Sequence, residues 1–593
     1  MADYQAPLKD MNFLLYDVFS MEAMWQSMPT LSEHVDRETA QAILQECAKI
    51  AEQEIAPLSR QGDEIGVSFN EGTVTTAPGY KEAFKTYSEG GWTGLGGDPE
   101  FGGMGMPKVI TALHEEMLCS ADIAFSLYPG LTAGAGLSIA KHATEALKER
   151  YLTRLYAGDW MATMCLTEPH SGTDLGLIYT KAIPNEDGSF DVSGTKIFIT
   201  AGEHDITENI VHLVLAKLPG APAGPRGISL FLVPKYQVND DESLGDFNNV
   251  TCGSIEHKMG INASATCVMN FDGSKGYLVG EENKGLACMF TMMNFERIGV
   301  GIQGIGAAER SYQNALEYAK ERLQGRSLSG AKYPEKSADP ILVHGDVRRM
   351  LLNMKSLTEG SRALSTYISM TLDMATYGEG ELKAKGESLS ALMTPLAKAF
   401  FTDLGLDNTV AGQQIFGGHG YIREWGQEQL VRDVRIAQIY EGTNGIQAMD
   451  LLARKVAASK GVLMQVFIDE VNTYIEQTSA DNMKEFIQPL KDANIDLADL
   501  TQHILVAAQG NIEELGASAN DYLHVFGYTA MAFVWAKMAE SSLAQSSSTD
   551  EFYQSKIKTA RYYFARLLPR RLSLIASIKA GCDTLFDMDE NLF

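Results

Sequence analysis

One acidic residue in a turn-like segment is the strongest candidate for proton-transfer chemistry in this sequence. Glu441 lies between Tyr440 and Gly442, within the run 435–447. A carboxylate works as a general base when it is held within hydrogen-bonding reach of the proton that it removes. Taken alone, a carboxylate between a tyrosine and a glycine is usually a solvated loop residue. The assignment therefore depends on the segments that accompany it along the chain.

Two other segments carry groups that could bind a polar ring system or a phosphate. Residues 164–174 include hydroxyl groups on Thr167, Ser171 and Thr173, which can donate or accept hydrogen bonds. Residues 413–421 contain consecutive glycines, whose backbone N–H groups can cradle a pyrophosphate. Each segment alone has an ordinary alternative: a capped turn that enters a strand, and the C-terminal cap of a helix.

Two patterns resemble known ligand motifs but lack the context that those motifs require. Residues 299–304 match GxGxxG, yet they lie inside a helical pattern with no strand before it. We interpret these glycines as positions of close helix packing. His114-Glu115-Glu116 lacks the second histidine of a helical zinc site, so we predict no metal.

The predicted secondary structure that must position these segments changes along the chain. Helical spacing dominates up to about residue 160, and short β-rich runs with turn residues follow to about residue 275. Helical periodicity then continues to the end of the sequence, with a Ser-rich break at 541–549. Asp187-Gly188 marks a hairpin turn within the β-rich part. The clearest predicted helices are 38–54, 113–119, 143–156, 286–324, 342–376 and 389–414, and the predicted strands are 190–192, 196–200, 210–216, 228–233 and 266–271.

We predict a mainly α fold with a central β domain, divided into consecutive segments. A single hydrophobic core stops growing at about 250–300 residues, so a chain of 593 residues needs more than one domain. The predicted segments are an N-terminal helical domain at 1–161, a barrel or sandwich at 162–283, a helical bundle at 284–460 and an extra C-terminal helical domain at 461–593.

The composition narrows the classes of function. The formal net charge is −27 and the pI is about 4.9, which disfavours binding to nucleic acid and to anionic membranes. The seven cysteines include no CxxC pair, and their odd number argues against a disulfide framework. No signal peptide is recognisable at the N-terminus, and no stretch of about 18 apolar residues is expected to span a membrane. We therefore expect a cytoplasmic protein.

Taken together and in order, the motifs resemble the acyl-CoA dehydrogenase family between about residues 40 and 455. The matching pieces are Gly91-Trp92-Thr93-Gly94-Leu95, Phe101-Gly102-Gly103, Leu166-Thr167-Glu168-Pro169, Lys196-Ile197-Phe198-Ile199-Thr200, His257-Lys258-Met259-Gly260, Glu296-Arg297-Ile298-Gly299, Gly417-Gly418-His419-Gly420 and Tyr440-Glu441-Gly442-Thr443. The resemblance implies an N-terminal helical domain, a β barrel and a C-terminal four-helix bundle. The segment beyond residue 460 is additional to this arrangement.

The resemblance also implies FAD as the cofactor. In the family, the residues that meet the flavin ring or its side chain match Leu166, Thr167, Gly172, Thr173, Phe198 and Thr200. Most members have tryptophan where this chain has Phe198. The remaining cofactor positions match Arg322, Gln414, Gly417, Gly418 and Thr443, of which Arg322, Gln414 and Gly418 would come from a neighbouring subunit. A shared cofactor site implies a homodimer or a dimer of dimers.

The resemblance implies that Glu441 removes the α-proton of an acyl-CoA thioester while the β-hydrogen leaves as hydride to flavin N5. The thioester carbonyl would accept hydrogen bonds from the Glu441 backbone N–H and from an FAD ribityl hydroxyl, an oxyanion-hole arrangement. The substrate-binding positions of the family match Thr173, Arg297, Tyr440 and Gly442. A minority of members place the base at the position of Glu296, which is therefore a second candidate carboxylate.

Several alternatives remain open at this level. An acyl-CoA oxidase would pass its electrons to oxygen instead of to an electron-transferring flavoprotein. A DNA-associated flavoprotein of the same fold and a silent scaffold that retains FAD are others, and the acidic charge argues against DNA. The run 4–11 resembles a long bacterial subgroup that includes 3-methylmercaptopropionyl-CoA dehydrogenases and fatty acyl-CoA enzymes. We thus expect a medium- or long-chain fatty acyl-CoA or 3-methylmercaptopropionyl-CoA as substrate.

The C-terminal extension contains one segment in which basic and aromatic residues alternate. Its basic residues are Lys556, Lys558, Arg561, Arg566, Arg570 and Arg571, interleaved with Tyr562, Tyr563, Phe564, Leu567 and Leu568. Such a helix can lie on a membrane surface. More often its aromatic residues pack against its own protein, and we predict that arrangement here.

Overall fold

A computed structural model describes residues 3–545 and 549–593, so residues 546–548 of the predicted Ser-rich break lie outside the described residues. The chain forms two compact units, and their bounds do not follow the order of the sequence. One unit comprises Met1–Gln45, Lys108–Glu116 and Val300–Phe593, and the other comprises Glu46–Pro107 and Met117–Gly299. We call the first the bundle unit and the second the barrel unit. The division into four segments stays a prediction.

Helices make up most of the bundle unit and also occur in the barrel unit, and short 3₁₀ or π-helical turns extend several of them. Numbered α1 to α20 in chain order, the α-helices are Leu8–Asn12, Met21–Gln26, Pro29–Ser32, Arg37–Ile50, Ser59–Ile65, Tyr80–Glu89, Lys108–Ala121, Ile123–His142, Glu145–Ala157, Gly285–Glu321, Gly345–Tyr377, Gly380–Phe416, Gln427–Arg435, Asn444–Met449, Val462–Gln477, Lys484–Gly510, Glu513–Ala544, Glu551–Tyr562, Arg571–Lys579 and Asp583–Phe586. The predicted helices are confirmed, with bounds that shift by a few residues.

The strands lie in the barrel unit. Numbered β1 to β11, they are Ser68–Asn70, Thr73–Thr75, Trp160–Cys165, Lys181–Pro184, Phe190–Thr200, Asn209–Lys217, Ile228–Pro234, Tyr236–Val238, Leu244–Phe247, Val250–Ile255 and Thr266–Val279. The hydrogen-bonded circuit β11–β5–β4–β6–β7 returns to β11, which closes the sheet into a barrel, as the family resemblance implies. Strands β3 and β10 extend it on either side.

Alternation and turn chemistry explain why the barrel forms where it does. The hairpin between β4 and β5 contains Gly188 at φ +81°, a left-handed angle that glycine adopts without steric cost, and the Asp187-Gly188 prediction is confirmed. The barrel core gathers inward-facing apolar side chains of several strands, including Val192, Val214 and Phe231. Closure leaves few unpaired strand edges, which protects the sheet against aggregation.

The first 160 residues are mainly helical, as predicted, and they also contain the small hairpin β1–β2. One sequence expectation is wrong for the barrel unit. Helix α8 was not predicted, and it contradicts the expectation that no segment is long and apolar enough to cross a membrane. Its most apolar window has a mean hydropathy of 1.3, and 78% of that window is buried inside the protein. A core helix of this kind meets the same criteria of length and composition.

Glycines bring α10 and α12 of the bundle unit close together. A Cβ atom on Gly304 would lie 2.4 Å from the carbonyl oxygen of Phe401, and one on Gly301 would lie 2.6 Å from that of Ala397. Both distances are far below van der Waals contact, so any side chain would push the helices apart. The interpretation of the GxGxxG match as close helix packing is confirmed.

The C-terminal extension packs on the same unit. Trp535 of α17 donates a hydrogen bond of 3.2 Å to the Ser356 carbonyl of α11, and Gly360 leaves the space that its indole ring occupies. Farther along, Tyr563 is fully buried and Arg561 forms an ion pair with Glu485. The aromatic residues of the basic segment therefore pack against their own protein, as predicted.

Candidate functional site

The turn that carries Glu441 has an unusual backbone. It lies between a short 3₁₀ turn at Ile436–Gln438 and the start of α14. Glu441 has φ +55° and Gly442 has φ +84°. Left-handed angles are costly for a residue with a Cβ atom, and such strain persists only where neighbouring groups fix it. The Thr443 hydroxyl then caps α14 by accepting a hydrogen bond from the Ile446 N–H.

Two side chains hold this turn through its carbonyl groups. The Gln447 amide donates 2.9 Å to the Glu441 carbonyl oxygen. The Lys398 ammonium donates 2.7 Å to the Gly442 carbonyl oxygen and 2.9 Å to the Asn444 side-chain oxygen. Lys398 is 0% exposed, so close oxygens are needed to balance its charge. The strained backbone at Glu441 is thus fixed on its C-terminal side by two donors.

Tyr440 is tied to a different helix. Its hydroxyl donates a short hydrogen bond to the side-chain oxygen of Gln303 in α10. Gln303 is buried and belongs to the same run as the helix-packing glycines. The turn is therefore attached to α10 before Glu441 and to α12 after it.

The end of α12 presents an open glycine segment. The helix stops at Phe416, and Gly417 has φ +59°. A Cβ atom added to Gly417 or Gly418 would meet nothing within 4 Å, so the backbone is accessible to a ligand. Gln414 and Arg322 are exposed residues of the same unit. The Gly417 N–H donates to the Gln414 carbonyl. The open backbone at Gly418, the Gln414 amide and the Arg322 guanidinium are groups of the kind that suits a pyrophosphate.

A buried ion pair organises the segment 164–174 in the barrel unit. Lys196 is 0% exposed and donates 3.0 Å to the Leu166 carbonyl and 2.8 Å to the Glu168 carboxylate. That carboxylate also accepts hydrogen bonds from the Tyr179 and Thr180 backbone N–H groups. Burial opposes ionisation of Glu168, but Lys196 and the hydrogen bonds outweigh it, so its pKa lies below the usual range.

Exposed or half-buried aromatic and hydroxyl side chains accompany this segment. Phe198 is 58% exposed and has φ +60°, so a strained backbone presents an aromatic face to solvent. Gly172 has open space where a Cβ would be. Thr173 is exposed, and Thr167 and Thr200 are half-buried. Hydroxyl groups around an exposed aromatic ring match what the isoalloxazine ring of FAD requires: stacking and edge hydrogen bonds.

The second candidate carboxylate lies in the N-terminal part of α10, which belongs to the barrel unit. Glu296 and Arg297 are both buried. A Cβ atom on Gly134 would lie 2.5 Å from Glu296 Oε1, so α8 approaches this carboxylate closely. Arg297 donates 3.3 Å to the Asn294 side-chain oxygen. Glu296 and Glu441 belong to different units, and the choice of Glu441 as the base stays a prediction.

Several residues of the candidate site were not found from the sequence. Lys398 left one signal, because a lone lysine inside Leu396-Ala397-Lys398-Ala399-Phe400 is unusual for a buried helical run. The sequence pattern gives no indication that Gln447 and Gln303 belong to the site, since a glutamine in a helix is ordinary. Across residues 3–545 and 549–593, no cluster of His, Cys, Asp and Glu has the arrangement of a metal site.

Family models match the chain in consecutive ranges. They are Acyl-CoA dehydrogenase, N-terminal domain at 37–159; Acyl-CoA dehydrogenase, middle domain at 163–274; Acyl-CoA dehydrogenase, C-terminal domain at 283–456; and Acetyl-CoA dehydrogenase C-terminal like at 467–589. The last range falls in the C-terminal extension.

Individual proteins are similar over nearly the whole length. The 3-methylmercaptopropionyl-CoA dehydrogenase of Ruegeria pomeroyi is 41% identical over 570 residues, which cover 95% of this chain and 96% of that protein. The broad-specificity linear acyl-CoA dehydrogenase of Mycobacterium tuberculosis is 32% identical over 622 residues, covering 100% of both chains. The structure of an acyl-CoA dehydrogenase from Bacillus anthracis, complexed with FAD, superposes with a TM-score of 0.73 at 23% identity, over 94% of this chain and 90% of that one.

Proposed function

Because this chain belongs to the acyl-CoA dehydrogenase family, whose members are FAD-dependent oxidoreductases, we propose that it oxidises an acyl-CoA thioester to the trans-2-enoyl-CoA with Glu441 as the base. The observation that carries the proposal is the Glu441 turn. A glutamate with a left-handed backbone is held there by a buried lysine and a glutamine amide. Strain that neighbouring groups enforce is typical of functional sites.

The reaction needs one proton and one hydride to leave adjacent carbons. The Glu441 carboxylate takes the α-proton, and the electron pair of that C–H bond becomes part of the new α,β double bond. Bound FAD supplies the acceptor for the hydride from the β-carbon. The Glu441 backbone N–H donates to the thioester carbonyl, where negative charge develops, and a donor fixed in advance stabilises that charge at no reorganisation cost.

The groups that hold the turn serve both the removal of the α-proton and the stabilisation of the thioester carbonyl. The Glu441 N–H and carboxylate belong to one residue, so the angle at which the backbone is held sets both donor and base. Gln447 and Lys398 fix the two carbonyl groups that follow this N–H. Precise placement matters because a shift of about 1 Å at a reacting group can lower a rate about a hundredfold.

The cofactor residues are assigned by their match to the family positions. In the barrel unit, Leu166, Thr167, Gly172, Thr173, Phe198 and Thr200 would receive the flavin ring and its side chain. Arg322, Gln414 and Gly418 of a neighbouring subunit would bind the phosphates and adenosine, and Gly417 and Thr443 are the remaining cofactor positions. Thr173, Arg297, Tyr440 and Gly442 would contact the CoA thioester. Open backbone and exposed donors at the glycine segment support the phosphate assignment.

The substrate that similarity favours is 3-methylmercaptopropionyl-CoA. The relative from Ruegeria pomeroyi carries that substrate in its name and is 41% identical to this chain. Linear fatty acyl-CoA thioesters are the other candidates, which the relative from Mycobacterium tuberculosis supports. Both classes share a CoA thioester with hydrogens on the α- and β-carbons, so one mechanism serves both.

The remaining proposals concern the electron acceptor, the quaternary structure and the location of the enzyme. We propose that an electron-transferring flavoprotein accepts the electrons, that the protein forms a homodimer or a dimer of dimers, and that it lies in the cytoplasm. A role in β-oxidation follows if a fatty acyl-CoA is the substrate. The family reaction supports the flavoprotein as acceptor, because reduced flavin must pass its electrons on before the next turnover.

Anaerobic titration of the FAD-loaded protein tests the proposal. Loss of the oxidised flavin absorbance on addition of 3-methylmercaptopropionyl-CoA or of a C4 to C16 acyl-CoA is the expected result. In the same experiment, Glu441→Gln should show flavin reduction about 10³-fold slower than wild type, although the thioester binds. A yellow protein that no thioester in the panel reduces would contradict the proposed reaction, and a protein that cannot be loaded with FAD would contradict the cofactor.

A further inference from the structure

One carboxylate joins the two ends of the turn that carries Glu441. Asp403 Oδ1 accepts a hydrogen bond of 2.6 Å from the Gln438 side-chain amide, which precedes the turn. The same oxygen accepts 2.7 Å from the Asn444 side-chain amide, which follows the turn. Asp403 belongs to α12, so the ends of the turn are fastened to a long helix. Their separation therefore depends on where this carboxylate lies.

The position of Asp403 is fixed by a residue of the C-terminal extension. His524 of α17 lies with its Nε2 atom 3.0 Å from Asp403 Oδ2, the oxygen that the amides leave available. Burial opposes ionisation of Asp403, but the hydrogen bonds from His524, Gln438 and Asn444 outweigh it and hold the pKa of Asp403 below its usual range. Because an ionised carboxylate only accepts, Nε2 carries the proton.

Helix α17 has little freedom to move relative to α12. A Cβ atom on Gly527 would lie 2.6 Å from the Phe400 ring, so the two helices are in direct contact. The Phe400 ring also packs edge-on against His524, at 5.6 Å between centroids, and against Tyr528, at 5.4 Å. Close packing of this kind makes the imidazole a rigid support for the carboxylate.

We propose that His524 is a positioning residue for the reaction: through Asp403, it sets the geometry of the turn that presents Glu441. The inference rests on the proposed function, because it takes Glu441 as the base. It gives the C-terminal extension a part in catalysis without direct contact with the substrate. Orientation of a reacting group through a hydrogen-bonded carboxylate is a common use of residues outside the site itself.

Replacement of His524 separates this role from a purely structural one. His524→Leu removes the donor and keeps the bulk, whereas His524→Gln keeps an amide donor near the position of Nε2. His503→Leu is the matched control, because His503 is an exposed histidine of the same extension. The measurements are the anaerobic rate of flavin reduction at saturating acyl-CoA, the substrate Kd, the FAD content and the hydrogen exchange of a peptide spanning 438–447.

The expected result is a loss of flavin reduction rate in His524→Leu alone. His524→Leu should lower the reduction rate about tenfold, which is within the range for misplaced catalytic groups, with Kd and FAD content unchanged. Exchange across 438–447 should rise in that variant. His524→Gln should stay within about twofold of wild type in both measurements, since its amide restores the donor. His503→Leu should match wild type.

Three results would overturn the inference. One is a wild-type reduction rate in His524→Leu despite faster exchange at 438–447. Another is equal loss of rate, FAD and thermal stability in His524→Leu and His524→Gln, which would mark a structural residue only. Unchanged exchange in His524→Leu would also end it, whatever the activity. Failure of the proposed function looks different, because wild-type protein would then not be reduced by any thioester. The comparison of hydrogen exchange between His524→Leu and wild type would still show whether His524 fixes the turn.

Discussion

The Lys398 ammonium lies 2.7 Å from the carbonyl oxygen of Gly442, the residue that follows the proposed base. This contact places a fully buried charge in the wall of the turn. Burial of an ammonium is unfavourable unless oxygen atoms surround it, so the contact and the turn stabilise each other. It also explains how a glutamate at φ +55° is kept in place.

Lys398→Met should loosen the turn and destabilise the bundle unit. The change removes the lysine donor from the Gly442 carbonyl and from the Asn444 side-chain oxygen, which costs about 1–3 kcal/mol of unfolding free energy. Flavin reduction should slow as well, because Glu441 loses its fixed angle. Denaturant unfolding and anaerobic stopped-flow reduction measure the two effects.

The control is Lys383→Met, at an exposed position of the same helix. It should change neither stability nor rate, because an exposed ammonium is solvated by water. If Lys398→Met behaves like this control, the buried lysine does not support the turn.

Glu441→Gln should lower the rate of flavin reduction by about 10³-fold, within the range for loss of a general base. FAD content and thioester affinity should persist, because the amide is similar in size to the carboxylate. Glu296→Gln should keep most of the activity. The reverse ranking of the two single variants would assign the base to Glu296, and loss only in the double variant would mean that the carboxylates share the role.

Gly304→Ala should destabilise the bundle unit by about 1–3 kcal/mol, since the new methyl group has no space. Its carbon would lie 2.4 Å from the carbonyl oxygen of Phe401, and a backbone atom cannot yield as a flexible side chain can. Gly516→Ala in α17 should instead stabilise by about 0.5–1 kcal/mol, because it meets open space and alanine favours helix. Urea unfolding of both variants checks the opposite signs.

Acid should destabilise the barrel unit through buried histidines. Burial lowers the pKa of His212 to about 3, from an ordinary value of 6.5. The neutral form is therefore required in the folded state, while the unfolded chain takes up a proton below pH 6.5. The stability that His212 contributes is present above pH 6.5 and is lost as the pH falls toward 3.

The size of this loss is measurable at moderate pH. Between pH 7.5 and 5.5, His212 should cost about 1.4 kcal/mol of unfolding free energy. His212→Asn should remove that part of the pH dependence and keep a polar partner for the Thr163 hydroxyl, which lies 2.7 Å from Nδ1. His114 and His204 also have a pKa of about 3, and their effects cancel when variant and wild type are compared. An identical pH dependence in both proteins would show that His212 does not titrate on unfolding.

The sequence by itself determined the order of elements, the family and the candidate base. Hairpin chemistry at Asp187-Gly188 and the helical and strand periods are local properties, because they depend on side chains a few residues apart. Motifs in a fixed order, such as Tyr440-Glu441-Gly442-Thr443, indicated the family. Helix α8 was not predicted because an apolar run without a polar face has no helical period to detect.

Only the tertiary structure decided what holds the candidate base. Lys398 is 44 residues from Gly442, and His524 is 121 residues from Asp403, so no local pattern connects them. Their contacts depend on the register at which α12 and α17 pack, and that register is set by close fits such as Gly527 against Phe400. Sequence periodicity states which face of a helix is buried, but a hydrogen bond of 3 Å requires the packed position of both partners.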